Sequence, residues 1–231
     1  MENGKQLEWV KANKNRFAKD FIAKSGTIPD ERSTAIFMAG LPGAGKTEIS
    51  KQLSIIIKRK FIRLDMDEIA TQIPGYKAEK ADEFRGGASE LLNRIYDIIM
   101  SKGLDFIMDG TFGSKNSIPN IERAISHGYM IKIFYVVQDP KKAWHFTKER
   151  EKIEHRAIDL DGFVESYFNT IENLKEVLKN KHDNITLDII KKDSYNRIKE
   201  WYGNADIDDI DKNLKQYYNK ESLRSYICLT K

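Results

Sequence analysis

Residues 40–47 read Gly40-Leu41-Pro42-Gly43-Ala44-Gly45-Lys46-Thr47, the Gly-x4-Gly-Lys-Thr spacing that turns a row of backbone N–H groups toward phosphate oxygens. In such a turn the glycines let the main chain approach closely and the following helix offers its positive end. Lys46 and Thr47 can then reach the terminal phosphates and Mg2+. The expected chemistry is binding of a nucleoside triphosphate, with all eight residues around it.

Further candidates close successive apolar runs. Phe61-Ile62-Arg63-Leu64-Asp65 leads into Met66-Asp67-Glu68, and Asp67 is read as the base that orients and deprotonates an acceptor hydroxyl. Its other reading is an N-cap for the helix beginning Glu68-Ile69-Ala70; Asp65 is read as structural or as a metal contact. Leu104-Asp105-Phe106-Ile107-Met108 ends in Asp109-Gly110-Thr111, an apolar run closed by an acid in the manner of a Walker B strand. Asp109 is expected to hold Mg2+ or its waters, or to accept from a substrate hydroxyl, with Thr111 also on the substrate side. A helix starting at Asp139-Pro140 carries Lys148-Glu149-Arg150-Glu151 and then His155-Arg156. Arg150 and Arg156 can close over a triphosphate and neutralise charge on the moving phosphoryl group; a solvated charged helix has the same composition. Tyr76 and Arg85 stand in a segment interrupted by Pro74-Gly75 and Gly86-Gly87, a flexible insert expected to help shape the acceptor pocket. His145 and His155 lack metal-ligand spacing, so no zinc site is expected.

These residues need a scaffold that delivers them to one edge. Apolar runs at 35–39, 61–65, 104–108, 131–137 and 184–190 read as strands, and 46–59, 82–101, 119–127, 140–155 and 160–179 as helices. That alternation predicts an α/β fold, a P-loop NTPase-type parallel sheet covered by helices on both faces, with ligands at the carboxyl ends of the strands. Leu7, Val10, Phe17, Phe21 and Ile22 predict an amphipathic N-terminal helix packed on the outside. Residues 1–191 are expected to form the P-loop domain, including that helix and the lid. Residues 192–231, read as Asp/Asn-rich turns with a short helix near 208–219, are expected to be an extension packed on it.

Composition narrows the classes. The 231 residues carry 39 Lys and Arg against 35 Asp and Glu, a net charge of +4, with the two signs interspersed, which argues against nucleic acid as partner. Lys58-Arg59-Lys60 reads as capping of a helix end. No run approaches the roughly 20 apolar residues of a membrane span, and no signal-peptide core stands at the start, so a cytoplasmic protein is expected. Cys228, the single cysteine, permits no intramolecular disulfide and is expected to be buried or inert.

From about residue 30 to residue 180 the chain resembles the zeta toxin family of P-loop kinases, the toxins of bacterial toxin–antitoxin systems. The resemblance rests on Gly40 to Thr47, on Asp65-Met66-Asp67 after the second strand, on Asp109-Gly110-Thr111 where the family usually has glutamate first, and on Arg150 and Arg156. It implies Asp67 as catalytic base, transfer of the ATP γ-phosphate to a hydroxyl of a nucleotide sugar, commonly UDP-N-acetylglucosamine, and an antitoxin partner that covers the nucleotide site. One departure bears on the acceptor: the family often has an arginine two residues beyond the threonine, where this chain has Gly113, with Lys115 the nearest cation. The rival readings are a P-loop kinase of a nucleoside, an antibiotic or a polynucleotide 5′-hydroxyl, or a nucleotide-binding module that transfers nothing.

Overall fold

The apolar run before the glycine-rich turn forms strand β1 (Thr34–Ala39), buried on both faces. The structure is a computed structural model that describes residues 3–154, 157–180, 183–214 and 218–229. Helix α1 (Asn3–Ser25) precedes β1, followed by α2 (Lys46–Ile56), β2 (Ile62–Asp65), α3 (Met66–Thr71), α4 (Ala81–Lys102), β3 (Phe106–Asp109) and α5 (Ser117–Ser126). Then come β4 (Met130–Val137), α6 (Pro140–Glu154), α7 (Leu160–Lys179), β5 (Ile185–Lys192), β6 (Ile198–Tyr202), α8 (Ile207–Asn213) and α9 (Lys220–Cys228).

Among the described residues the strands form one sheet in the order β2-β3-β1-β4-β5-β6. The first five are parallel, and β6 runs antiparallel to β5. Side chains alternate across a strand, so β1 feeds two cores. Ala35, Phe37 and Ala39 pack with Val10 of α1 and Leu91 of α4, while Ile36 and Met38 pack with Leu53 of α2, Phe163 of α7 and Leu223 of α9. The chain leaves β1 for β2 and returns through β3, then places β4 on the other side of β1. β1 is therefore the switch point of the sheet, where the carboxyl ends open a crevice for a ligand.

The expected strands and helices are present, and the differences from expectation are local. β6 is an extra strand at the sheet edge whose sequence Ile198-Lys199-Glu200-Trp201-Tyr202 is mostly exposed, so no apolar face announced it. α3 spans only 6 residues, too few for a helical period to register. The helix expected near 208–219 is the shorter α8, and a further helix, α9, follows beyond that range; each is opened by a capping box, at Asp206 and at Asn219. Gly86 and Gly87 interrupt nothing, since both lie inside α4. A Cβ on Gly87 would stand 3.2 Å from Val10 Cγ2 and 3.3 Å from Ile73 Cδ1, so glycine there allows α1 and the turn after α3 to pack closely on α4.

Two further readings change. Arg59 caps no helix: α2 has already ended at Ile56, and the guanidinium pairs with the buried carboxylate of Asp105 and, at 2.9 Å, with Asp30. Asp105 in turn accepts from Thr34 N at 2.7 Å, tying the start of β1. Cys228 is exposed, not buried, because it lies on the last turn of α9, whose inward positions are Leu223 and Ile227. No helix among the described residues is long and apolar enough to cross a membrane.

Candidate active site

The glycine-rich loop is shaped by positions that exclude side chains. Gly40 and Gly43 have φ of 131° and 74°, conformations that L residues rarely adopt. A Cβ on Gly40 would collide with Val136 O, and one on Gly43 with Ala143 O and the Thr147 hydroxyl. The loop is thus wedged between the end of β4 and the root of α6. Gly40 N donates to Thr111 O at 3.0 Å and Ala44 N to Leu41 O at 3.1 Å. α2 then begins with Gly45 at its N-cap, a residue with no side chain to bond the first-turn N–H groups, the arrangement that leaves a helix start open to an anion.

Lys46 is 8% exposed, and its ammonium donates to Leu41 O at 2.6 Å. Burial pulls its pKa down to about 8; Asp109 opposes the shift and Arg150 reinforces it. Arg150 is exposed on α6, the helix whose residues Ala143 and Thr147 lie against Gly43. Arg156 lies outside the described residues.

An acidic bank faces this lysine. Asp65 and Asp109 are register partners on β2 and β3, and Arg63, two residues before Asp65 on the same face of the strand, spans them. Its Nη1 donates to Asp65 Oδ2 at 3.0 Å and to Asp109 Oδ2 at 2.8 Å, and Nη2 pairs with Glu68. Burial works against the guanidinium charge, yet Glu68, Asp65 and Asp109 raise its pKa above the usual arginine value. Ser50, one turn along α2 from Lys46, donates to Asp109 Oδ2 at 2.6 Å. Asp109, its side chain 3% exposed, is therefore held from two elements through one oxygen.

Asp65 has a second task. Its Oδ1 accepts from Asp67 N at 2.9 Å and Glu68 N at 3.2 Å, so Asp65 is the N-cap of α3. The capping role that Asp67 was offered by its spacing belongs to its neighbour, and Asp67 presents an exposed carboxylate on the first turn of α3.

The substrate-side candidates divide. Thr111 O accepts from Gly40 N and from Thr170 Oγ1 at 2.8 Å, and its hydroxyl accepts from Gly113 N at 3.3 Å, so the turn after β3 joins the loop to α7. Gly113 sits against α7: a Cβ there would lie 3.2 Å from Ser166 O and 3.3 Å from Thr170 Oγ1. Tyr76 packs edge-on against Phe84, and Arg85 pairs with Asp82 within α4, so each is engaged in its own segment. Leu41 and Lys192 also line a cavity of about 40 Å3 at the ends of β4 and β5, room for a water and not for a nucleotide.

Arg63 and Ser50 escaped the sequence reading. The signal for Arg63 was available, since a cation two residues before an acid on a strand shares its face.

A mostly parallel α/β sheet whose central strand runs into this loop, with acids at the ends of the two strands on one side and a cationic helix on the other, is the P-loop kinase fold. The family model for zeta toxin matches residues 19–204, and the chain belongs to the zeta toxin family. Among solved structures it is similar to one from the PezAT chromosomal toxin-antitoxin system of Streptococcus pneumoniae, with a TM-score of 0.67 and 14% identity over 97% of this chain and 93% of that one. It is also similar to the native AvrRxo1-ORF1:-ORF2 complex, with a TM-score of 0.59 and 12% identity over 87% of this chain and 68% of that one. The AvrRxo1-ORF1:-ORF2 structure with ATP gives 0.58 and 13% over 87% and 64%. At these identities the likeness concerns the fold. By sequence, no curated protein matches the chain.

Proposed function

We propose that the chain is an ATP-dependent kinase that transfers the γ-phosphate to a hydroxyl of a nucleotide sugar such as UDP-N-acetylglucosamine, acting as a cytoplasmic toxin held in check by an antitoxin. The observation that carries the transfer step is the division of labour between neighbouring aspartates. Asp65 caps α3 and binds Arg63, and two residues further on Asp67 presents an exposed carboxylate at the sheet edge beside a phosphate-binding loop. In the forward step Asp67 takes the proton of the acceptor hydroxyl as its oxygen bonds to the γ-phosphorus and the bond to the β-phosphate oxygen breaks. Lys46 and the N–H groups of the loop hold the phosphates in line, and Arg150 with Arg156 offsets the charge of the transferring group.

The residues present suit Mg2+. The Thr47 hydroxyl and the Asp109 carboxylate are hard oxygen donors on adjacent elements, and both hydrogen bonds to Asp109 use Oδ2, which leaves the geometry of Oδ1 to a cation or its waters. The metal would neutralise phosphate charge there.

The toxin reading is supported by family membership. A structural match whose source is a toxin-antitoxin system motivates the partner. The packed seat of Gly113 favours a second reading, a small hydroxylated acceptor other than UDP-N-acetylglucosamine, because the arginine frequent in the family has no room there without moving α7. Mass spectrometry of UDP-N-acetylglucosamine incubated with protein, ATP and Mg2+, beside other nucleotide sugars, nucleosides and aminoglycosides, tests both. A gain of one phosphate on UDP-N-acetylglucosamine is the expected result, and a gain confined to another compound replaces the acceptor. No gain on any of them, with ATP bound, makes the chain a binding module.

A further inference from the structure

Helix α3, which carries Asp67, spans 6 residues, fewer than a helix needs to hold itself in water. Its first turn is fixed from outside. Asp65 Oδ1 accepts from Asp67 N and Glu68 N, while the other oxygen, Oδ2, accepts from Arg63 Nη1 at 3.0 Å. The backbone of Asp67 is thus placed by a carboxylate that Arg63 holds in turn.

The same guanidinium reaches the phosphate side. Arg63 Nη1 donates to Asp109 Oδ2, the oxygen that also accepts from Ser50 Oγ, and Ser50 lies one turn after Lys46 on α2. Arg63 Nη2 pairs with Glu68 of α3, whose Oε1 stands 3.9 Å from Lys51 Nζ on α2. A continuous set of contacts runs from the helix after the phosphate loop, through Asp109 and Arg63, to the amide of Asp67. Arg63 is its junction. Register sets Asp65 directly beside Asp109, and two neighbouring carboxylates with no cation between them repel.

The placement matters to the chemistry. A base takes a hydroxyl proton when the two heavy atoms are within about 2.6–3.2 Å, and a misplacement of about 1 Å costs on the order of 100-fold in rate. Resting on the kinase reading above, we propose that Arg63 is a positioning residue for phosphoryl transfer, setting the Asp67 carboxylate against the phosphate loop through Asp65, Glu68 and Asp109. The planar guanidinium suits this task because its two terminal nitrogens hold acids of two elements in one fixed geometry, which an ammonium on a flexible stem does not.

Turnover of the full chain is measured with labelled ATP, Mg2+ and UDP-N-acetylglucosamine, or with the compound of the panel above that gains phosphate in its place, and ATP affinity by calorimetry. Arg63→Lys keeps the positive charge and loses the fork. It should lower kcat about tenfold or more, while the ATP dissociation constant changes by less than about twofold. Asp65→Asn keeps an acceptor to cap α3 and gives up the oxygen that binds Arg63. It should lose kcat in the same way, and it carries the test if Arg63→Lys does not fold. Placed on Asp67→Asn, neither change should lower kcat by more than about twofold again, since the placement of a missing base has no effect. A merely structural role would instead weaken ATP binding along with turnover and multiply with Asp67→Asn. Either of those patterns, or a kcat within about twofold of wild type for both variants, overturns the assignment and leaves Asp67 standing as base. Wild type that binds ATP and phosphorylates none of the compounds overturns the kinase reading itself.

Discussion

Arg63 Nη1 stands 2.8 Å from Asp109 Oδ2, a cross-strand pair in which a residue of β2 holds the acid that ends β3. The Arg63 side chain is 16% exposed and pairs with Asp65, Asp109 and Glu68. Breaking a buried pair leaves the opposite charges uncompensated, which costs more than the pair itself contributes.

Arg63→Met should therefore destabilise the protein by about 3 kcal/mol, read as a lower urea midpoint at unchanged slope, while Arg63→Lys loses less. An unchanged midpoint for Arg63→Met would mean that water already solvates the three acids.

Lys46→Ala should abolish phosphoryl transfer and leave the fold intact, since the residue it removes is a buried cation whose hydrogen bond among the described residues goes to its own loop. Turnover is followed with labelled ATP and the fold by circular dichroism. Near-native turnover would disqualify the loop as the catalytic phosphate site.

The two aspartates should separate. Asp67→Asn is expected to keep ATP binding and lower kcat by about 100-fold or more, because the amide cannot take a proton. Asp65→Ala is expected to lower stability by about 1 kcal/mol through loss of the α3 cap. The reverse pattern, a dead Asp65 variant and an active Asp67 variant, would move the base by two residues.

How far the sequence reached is clearest at this pair. The spacing placed both carboxylates at the end of β2, but a helix of 6 residues gave no period from which to tell which acid caps it. The loop and the five parallel strands were legible because a glycine pattern and buried apolar runs are local properties. The Arg63 bridge depends on which strands become neighbours, and the packed seat of Gly113 depends on how α7 lies against the turn after β3. Neither is written in any one segment.

The depressed Lys46 pKa carries a pH dependence with a definite sign. Between about 8 and the ordinary lysine value the unfolded chain holds the proton that the folded chain has released, so this group adds stability as pH rises through that window. ATP binding runs the other way, because phosphates favour the charged ammonium. The ATP dissociation constant should rise above pH 8, by up to about tenfold per unit, with proton uptake on binding, and Lys46→Arg should flatten the profile. A wild-type profile flat from pH 7 to 10 would contradict the shift.

Arg150→Ala should lower kcat far more than it weakens ATP binding, since the charge it meets develops as the phosphoryl group moves. Equal losses in both would make Arg150 a ground-state anchor.

The contact of Gly43 with Ala143 and Thr147 also dictates how Arg150 can travel. α6 is clamped to the phosphate loop at its root, and Thr147 donates back to Ala143 O at 2.8 Å, a bond of the kind that bends helices. The helix is a cantilever: its base cannot shift without carrying the loop along, so whatever displaces the phosphate seat displaces the root of the arginine's helix with it.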